Sequence, residues 1–316
     1  MRFVALYGRR MAENDATRRP YQEEAHAIHA RDVHFDFESV PMHYIPGEVL
    51  ATHIVNVMHL VLPEGERAMA MALAEALPHI DDPRLREEVQ GFVGQETMHA
   101  GSHERARKHL QSLGLDAEGY VHAVSWLVDR VLGDHGLNGR AKRAWLRERL
   151  GLFAGMEHFT AVIGEWLLEA QVLEQKGMHP TMLDLVRWHG AEEVEHRSVV
   201  FDAYMHLDGG YARRARTALL ATATLLPLFI VSTAYLYRKD PSPDKGRFWP
   251  LQFLSATARG VIPSWTVFFT EMPRYLRPSF HPSQLGSMDN ALRYLAHSPA
   301  ARAAEAPDGD EHLVAW

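Results

Sequence analysis

Residues 188–202 read WHGAEEVEHRSVVFD and residues 92–104 read FVGQETMHAGSHE. Each sets metal-binding side chains where the apolar stripe of a helix should run. Around the first, Met182, Val186, His189, Glu193, His196, Val200 and Ala203 recur at alternating spacings of four and three, the inward stripe of a bundle helix. Around the second, Leu85, Val89, Phe92, Glu96, His99, His103, Ala106 and Leu110 do the same. Burying carboxylates and imidazoles is unfavourable unless something pairs with them, and a cation does so. Both stretches carry Glu-x-x-His, as Glu96–His99 and Glu193–His196. A spacing of three sets both side chains on one face, a turn apart, within reach of a common centre.

Two further acids complete the pattern. Glu66 shares a face with Met69, Leu73 and Leu77, and Glu157 with Leu146, Leu150, Phe153, Gly164 and Leu168. The chain order is Glu, Glu-x-x-His, Glu, Glu-x-x-His, with 30 residues from Glu66 to Glu96 and 36 from Glu157 to Glu193. Each separation fits one helical hairpin with its acids at equal depth. Two such hairpins predict an all-α fold, a ferritin-like four-helix bundle holding two metals. His189, four before Glu193, and His103, four after His99, are the alternatives for a seventh ligand, the other orienting a carboxylate from behind. Glu192 and Glu195 sit off the stripe and read as solvated or supporting. His122, His135 and His158 read as surface or internally satisfied histidines.

Composition narrows the chemistry. The chain holds 47% hydrophobic and 23% charged residues, a globular balance, and a formal charge of −7. That charge argues against a nucleic-acid surface, which needs clustered Lys and Arg. With no cysteine among 316 residues, disulfides, thiolate nucleophiles and iron–sulfur clusters are excluded. Twenty histidines leave imidazole and carboxylate as ligands, a donor set suited to Fe, Mn or Zn. Arg2, Arg9 and Arg10 precede no apolar run long enough for a secretory signal, so a cytoplasmic location is expected.

The pattern predicts an N-terminal arm over 1–45, a di-metal bundle over 46–210, an apolar helical region over 211–297 and a disordered tail over 298–316. Helices are expected at about 48–61, 64–77, 83–113, 117–133, 138–176 and 180–206. Prolines 63, 83 and 180 lie near the starts, and Gly114 and Gly177 just past the ends. Residues 218–237 carry no charge over 20 positions, long enough to cross a bilayer. A second apolar segment, 248–269, is interrupted by Arg259. These segments either pack on the bundle or meet a membrane, with Arg259 reaching the headgroups in the second case.

The stretches PEGER (63–67), FVGQETMHAGSHE (92–104), GMEHFTAVIGEWLLE (155–169), WHGAEEVEHRSVVFD (188–202) and YLRPSFHP (275–282) resemble a bacterial family of predicted metal-dependent hydrolases, over roughly 40–290. The spacing of His189, Glu193 and His196 is also similar to that of di-iron arylamine N-oxygenases, whose last ligand helix carries an extra histidine. This second resemblance, confined to the ligand pattern, implies His189 as the seventh ligand and His103 as the supporting donor. The ligand set expected is therefore Glu66, Glu96, His99, Glu157, His189, Glu193 and His196, holding two Fe ions, with Mn or Zn as substitutes. A Glu-rich site inside a bundle fits O2 chemistry. The first expectation is thus an oxidoreductase that takes O2, an electron donor and an apolar or lipid substrate, with a homodimer and peripheral membrane contact among the expected partners. Two metals can equally polarise a carbonyl or phosphoryl group for hydrolysis, and a non-enzymatic iron-binding bundle is the third alternative.

Overall fold

A computed structural model describes residues 27–242, 249–264 and 266–305. Among them the chain is all-α and contains no strand. The helices are α1 Val49–Ala76, α2 Pro83–Ser112, α3 Glu118–Leu132, α4 Gly139–Glu169, α5 Gln171–Gln175, α6 Pro180–His196, α7 Val199–Leu207, α8 Tyr211–Lys239, α9 Trp249–Arg259, α10 Val267–Tyr275, α11 Met288–Leu295 and α12 Pro299–Glu305. Local chemistry sets several starts. Asp82 caps α2 by accepting from the backbone N–H of Arg84 and Leu85, with Pro83 at the first helical position. Helix α1 packs on α2 and α4 on α6, while α1 also meets α4, and α2 meets α6 and α7. Four long helices thereby close around one interior. Both stripes read from the sequence face it, and every residue named in them is buried.

Three boundaries differ from the sequence reading. The helices expected at 48–61 and 64–77 are one, α1, which runs through Pro63. Proline lacks an N–H and its ring crowds the carbonyl four residues back, and packing of the surrounding buried residues outweighs that cost. The helix expected over 138–176 stops at Glu169 and resumes as α5. The helix expected over 180–206 breaks after His196. There the Arg197 guanidinium donates to the Val194 carbonyl, which would otherwise accept the Ser198 N–H one turn on, and its Nε donates to Pro282 O at 3.3 Å.

Both ends of the described chain fold onto the bundle. Residues 27–48 form no helix but contribute buried Val33, Phe37, Val40, Tyr44 and Ile45 to a cluster with Met182, Leu185 and Trp188 of α6. Gly91 and Gly94 open the groove on α2 that admits this segment. A Cβ on Gly91 would lie 2.1 Å from Ile28 O, and one on Gly94 2.9 Å from the Ala30 Cβ. At the other end, part of the tail expected to be disordered is helix α12, with Ala301 fully buried and the Ala300 N–H on Asp184. Residues 1–26, most of the expected arm, and 306–316, the rest of the tail, lie outside the described residues.

The apolar 218–237 segment belongs to α8, among the described residues the one helix long and apolar enough to cross a membrane. Its C-terminal end is tied down by Asp240, whose Oδ2 accepts from His43 Nε2 at 2.8 Å and from His53 Nε2 at 2.9 Å. Arg259 ends α9 on Glu48 at 2.6 Å instead of extending outward. Asp240→Ala strips two imidazoles of a buried acceptor, so it should destabilise the fold by about 1–3 kcal/mol in denaturant titration. Asp240→Asn, which keeps an acceptor oxygen, should cost less.

Candidate metal centre

Helix α1 delivers Glu66 to the interior, α2 delivers Glu96, His99 and His103, α4 delivers Glu157, and α6 delivers His189, Glu193 and His196. All eight side chains expected from the sequence converge there, each no more than 4% exposed. Ligand atoms of Glu66, His99, His189 and Glu193 lie within 4.8 Å of one another, as do those of Glu96, His99, Glu193 and His196. The two groups share His99 and Glu193. Glu157 stands beside them, with Oε2 3.1 Å from His196 Nδ1. His196 Nε2 faces Glu96 at 3.2 Å, and His189 Nε2 faces Glu193 at 2.9 Å.

The chemistry of this interior fits cations. Both oxygens of Glu66, both of Glu96, Glu193 Oε2, His99 Nδ1 and His196 Nε2 are buried without a hydrogen-bond partner among the described residues. Unsatisfied polar atoms in such number are unfavourable in a core that holds nothing else. The group formed by His43, His53 and Asp240 contrasts with it, because no buried atom there lacks a partner.

Two outer networks fix the inner side chains. On one flank, Glu192 and Glu195, expected to be solvated or supporting, are both buried. Glu192 Oε2 holds His99 Nε2 at 2.9 Å, so that His99 Nδ1 turns toward Glu96. Arg31 clamps this pair from the N-terminal segment, with Nη1 2.7 Å from Glu192 and 3.0 Å from Glu195. Trp188 Nε1 donates to Glu192 at 3.1 Å and Gln95 to Glu195 at 2.6 Å. On the other flank, three buried imidazoles form a file. His189 Nδ1 lies 2.8 Å from His103 Nε2, and His103 Nδ1 lies 2.8 Å from His59 Nδ1. One order of protons gives His189 Nε2–H to Glu193, His103 Nε2–H to His189 Nδ1 and His59 Nδ1–H to His103 Nδ1, and the reverse order would leave His189 Nε2 bare for a cation.

His59, Arg31, Gln95 and Trp188 are absent from the sequence reading. A signal existed for His59. It precedes Glu66 by seven residues, which shares a face on a continuous helix, but the expected break at Pro63 concealed that phase. The arginine sits in a segment without periodicity and carried no comparable signal.

Burial raises the carboxyl pKa values of Glu66, Glu96 and Glu157, and neighbouring carboxylates raise them further. Burial would likewise raise Glu193, but the hydrogen bond from His189 and the imidazoles around it outweigh burial and hold its carboxyl low. Burial disfavours a charged His99, yet its hydrogen bond to Glu192 and the adjacent Glu96 carboxylate lift its pKa well above the ordinary value. Burial lowers His103, helped by His189 and His59.

A family model described as predicted metal-dependent hydrolase matches residues 29–286. The chain belongs to that family. No curated protein matches the chain, and no solved structure does. Membership in the metal-dependent hydrolase family corrects the first functional expectation. It names hydrolysis, the second alternative, and nothing supports an O2-dependent oxidoreductase or the O2 and electron donor that it required. It supports metal ions as cofactors alongside the buried His/Glu cluster, while the identity of the metal as iron does not follow from either.

Cation binding must displace protons from carboxyls whose pKa is raised. In calorimetry near neutral pH, the apparent enthalpy of Zn or Mn binding should therefore change with the ionisation enthalpy of the buffer, reporting proton release. A buffer-independent enthalpy would show that the carboxyls are already ionised. Glu192→Ala, which frees His99 to rotate, should weaken metal binding by about 10–100-fold, measured in the same titration.

Proposed function

We propose that the chain is a hydrolase that works with two divalent cations held between α1, α2, α4 and α6. The observation that carries this reading is a charge imbalance. Six glutamates, 66, 96, 157, 192, 193 and 195, are buried around the centre with Arg31 as the buried guanidinium beside them. Two divalent cations bring six negative charges and one positive to within one unit of neutrality. Glu66 and His189 would hold one cation and Glu96, His196 and Glu157 the other, with Glu193 and His99 within reach of both. His103 and His59 orient His189, while Glu192 and Arg31 orient His99.

Bound cations supply Lewis acidity, which polarises a carbonyl or phosphoryl oxygen and lowers the pKa of water. The protein residues do the rest. Phe92, with its ring centroid 4.6 Å from that of His196, and Trp188, 5.0 Å from His99, wall the imidazoles with apolar surface that excludes bulk water and suits an ester or phosphoester with an apolar body. Salt bridges from Arg31 keep the Glu192 and Glu195 carboxylates fixed, so they cannot swing inward to compete with substrate.

The test is hydrolysis of aryl ester and phosphoester substrates by protein loaded with Zn or Mn, under strict exclusion of O2. Activity should appear without O2, disappear on chelation and return on adding metal. Glu193→Ala should lower kcat/KM by at least about 100-fold while retaining the helical circular dichroism of the parent. Activity that survives chelation, or none with either metal against either substrate class, would contradict the proposal.

A further inference from the structure

Helix α8 is apolar on its outward side as well as toward the bundle, which is unusual for a surface helix of a soluble protein. Its bundle-facing side mixes small or polar Thr217, Ala218, Ala221, Ser232 and Thr233 with buried Leu236 and Tyr237 and half-buried Leu225, Leu228 and Phe229. Its outward side is apolar, with Leu219, Leu220, Ile230 and Val231 each more than half exposed. Between them on that face lie exposed Ala223, Thr224 and Pro227, so no charge interrupts it. Only 17% of the most apolar stretch of α8 is buried, which excludes a core helix as the reason for its composition.

Neighbouring helices extend the same character. Among the described residues, fifteen large apolar side chains are exposed, and twelve of them lie on α3, α8, α9 and α10. Helix α3 stacks Tyr120 on Tyr235 of α8 at 4.6 Å, and α9 joins α8 through Gln252 and Tyr237 at 2.8 Å. Trp126 of α3 and Trp249 of α9 are among the exposed rings, and tryptophan favours the membrane–water interface. Isolated apolar residues on a surface are ordinary, whereas a concentration of this kind marks an interaction site.

Charge identifies the partner. Residues 209–239 and 245–270 contain eight Lys or Arg and no Asp or Glu, in a chain whose net charge is −7. Arg213 and Arg216 are paired with Glu148, and Arg259 with Glu48. Lys239, 5.8 Å over the Tyr235 ring, is exposed at the end of the apolar face, where it complements anionic headgroups.

Crossing the bilayer is incompatible with how α8 is held. At one end it is fixed by Arg213 and Arg216 on Glu148, and at the other by Asp240 on His43 and His53. Between them it lies tightly on α4, where a Cβ on Gly155 would come 2.8 Å from the Ala218 Cα. We propose that the outward face of α8, continued by α3 and α9, lies in the plane of a bilayer and attaches the protein to anionic lipid. This arrangement is that of an interfacial helix, which buries one face among the headgroups.

The test uses the full chain with vesicles of phosphatidylcholine, with and without phosphatidylglycerol. The protein should sediment with vesicles, at least about tenfold more tightly when the anionic lipid is present. Added salt should weaken the anionic preference and leave the apolar component. The double variant Leu220→Glu/Ile230→Glu should lower vesicle partitioning by at least about tenfold, since each substitution removes an exposed aliphatic side chain that a bilayer would bury, with unchanged circular dichroism and metal content. Should that variant misfold, brominated lipid provides the second readout and should quench the tryptophan fluorescence of the parent protein. Absence of sedimentation, partitioning unaffected by a folded double variant, or absence of quenching would overturn the proposal. A detergent-free dimer that the double variant converts to monomer would do so as well, by assigning the face to a second copy of the chain.

Discussion

Six carboxylates in one protein interior, two of them paired to Arg31, set the terms for everything else in this fold. An ionised carboxylate taken out of water without a partner carries a penalty of several kcal/mol or more, and a domain has only about 5–15 kcal/mol of net stability. Protonation relieves part of that penalty, which is why burial raises the carboxyls of Glu66, Glu96 and Glu157. Cations relieve it more completely, because they also satisfy the oxygens and nitrogens that no protein group reaches. The bundle is thus built around a place where metal binding and folding stability are linked.

The periphery follows from that centre. The N-terminal segment lies in a groove opened by Gly91 and Gly94 and carries Arg31, which restrains Glu192 and Glu195. Helix α12 closes over the same region, placing Glu305 3.4 Å from Arg31. On the opposite flank the file of His59, His103 and His189 ties α1, α2 and α6 together through imidazole nitrogens. Segments that resemble an arm and a tail in the sequence are therefore parts of the support for the site. Helix α8 contributes differently, meeting α4 with small residues and turning a second apolar side outward.

Much of the fold and of the candidate site is legible in the sequence, because helical periodicity and metal-ligand spacing are both local. The stripes through Glu96 and Glu193 assign face and depth without any knowledge of tertiary contacts. Features set by tertiary structure were not legible. Pro63 reads as a boundary because its missing N–H is a local fact, whereas the packing that carries α1 through it is not. Glu192 and Glu195 read as solvated or supporting because they leave the stripe, and only the arrival of Arg31 from 161 and 164 residues away shows that they are buried. The break after His196 depends on Arg197 meeting Pro282, again a distant contact. Reaction type was the least legible property. Carboxylate and imidazole ligands serve hydrolysis and redox chemistry alike, and family membership, not geometry, separated them.

The account stands on cations at the meeting point of α1, α2, α4 and α6. Anomalous X-ray scattering from crystals grown with Mn or Zn tests that point directly. Two peaks are predicted, one adjoining Glu66 and His189 and the other adjoining Glu96 and His196, with Glu193 in contact with both. Crystals whose anomalous maps show no peak among these side chains, with the six glutamates protonated or bridged by water instead, would contradict it.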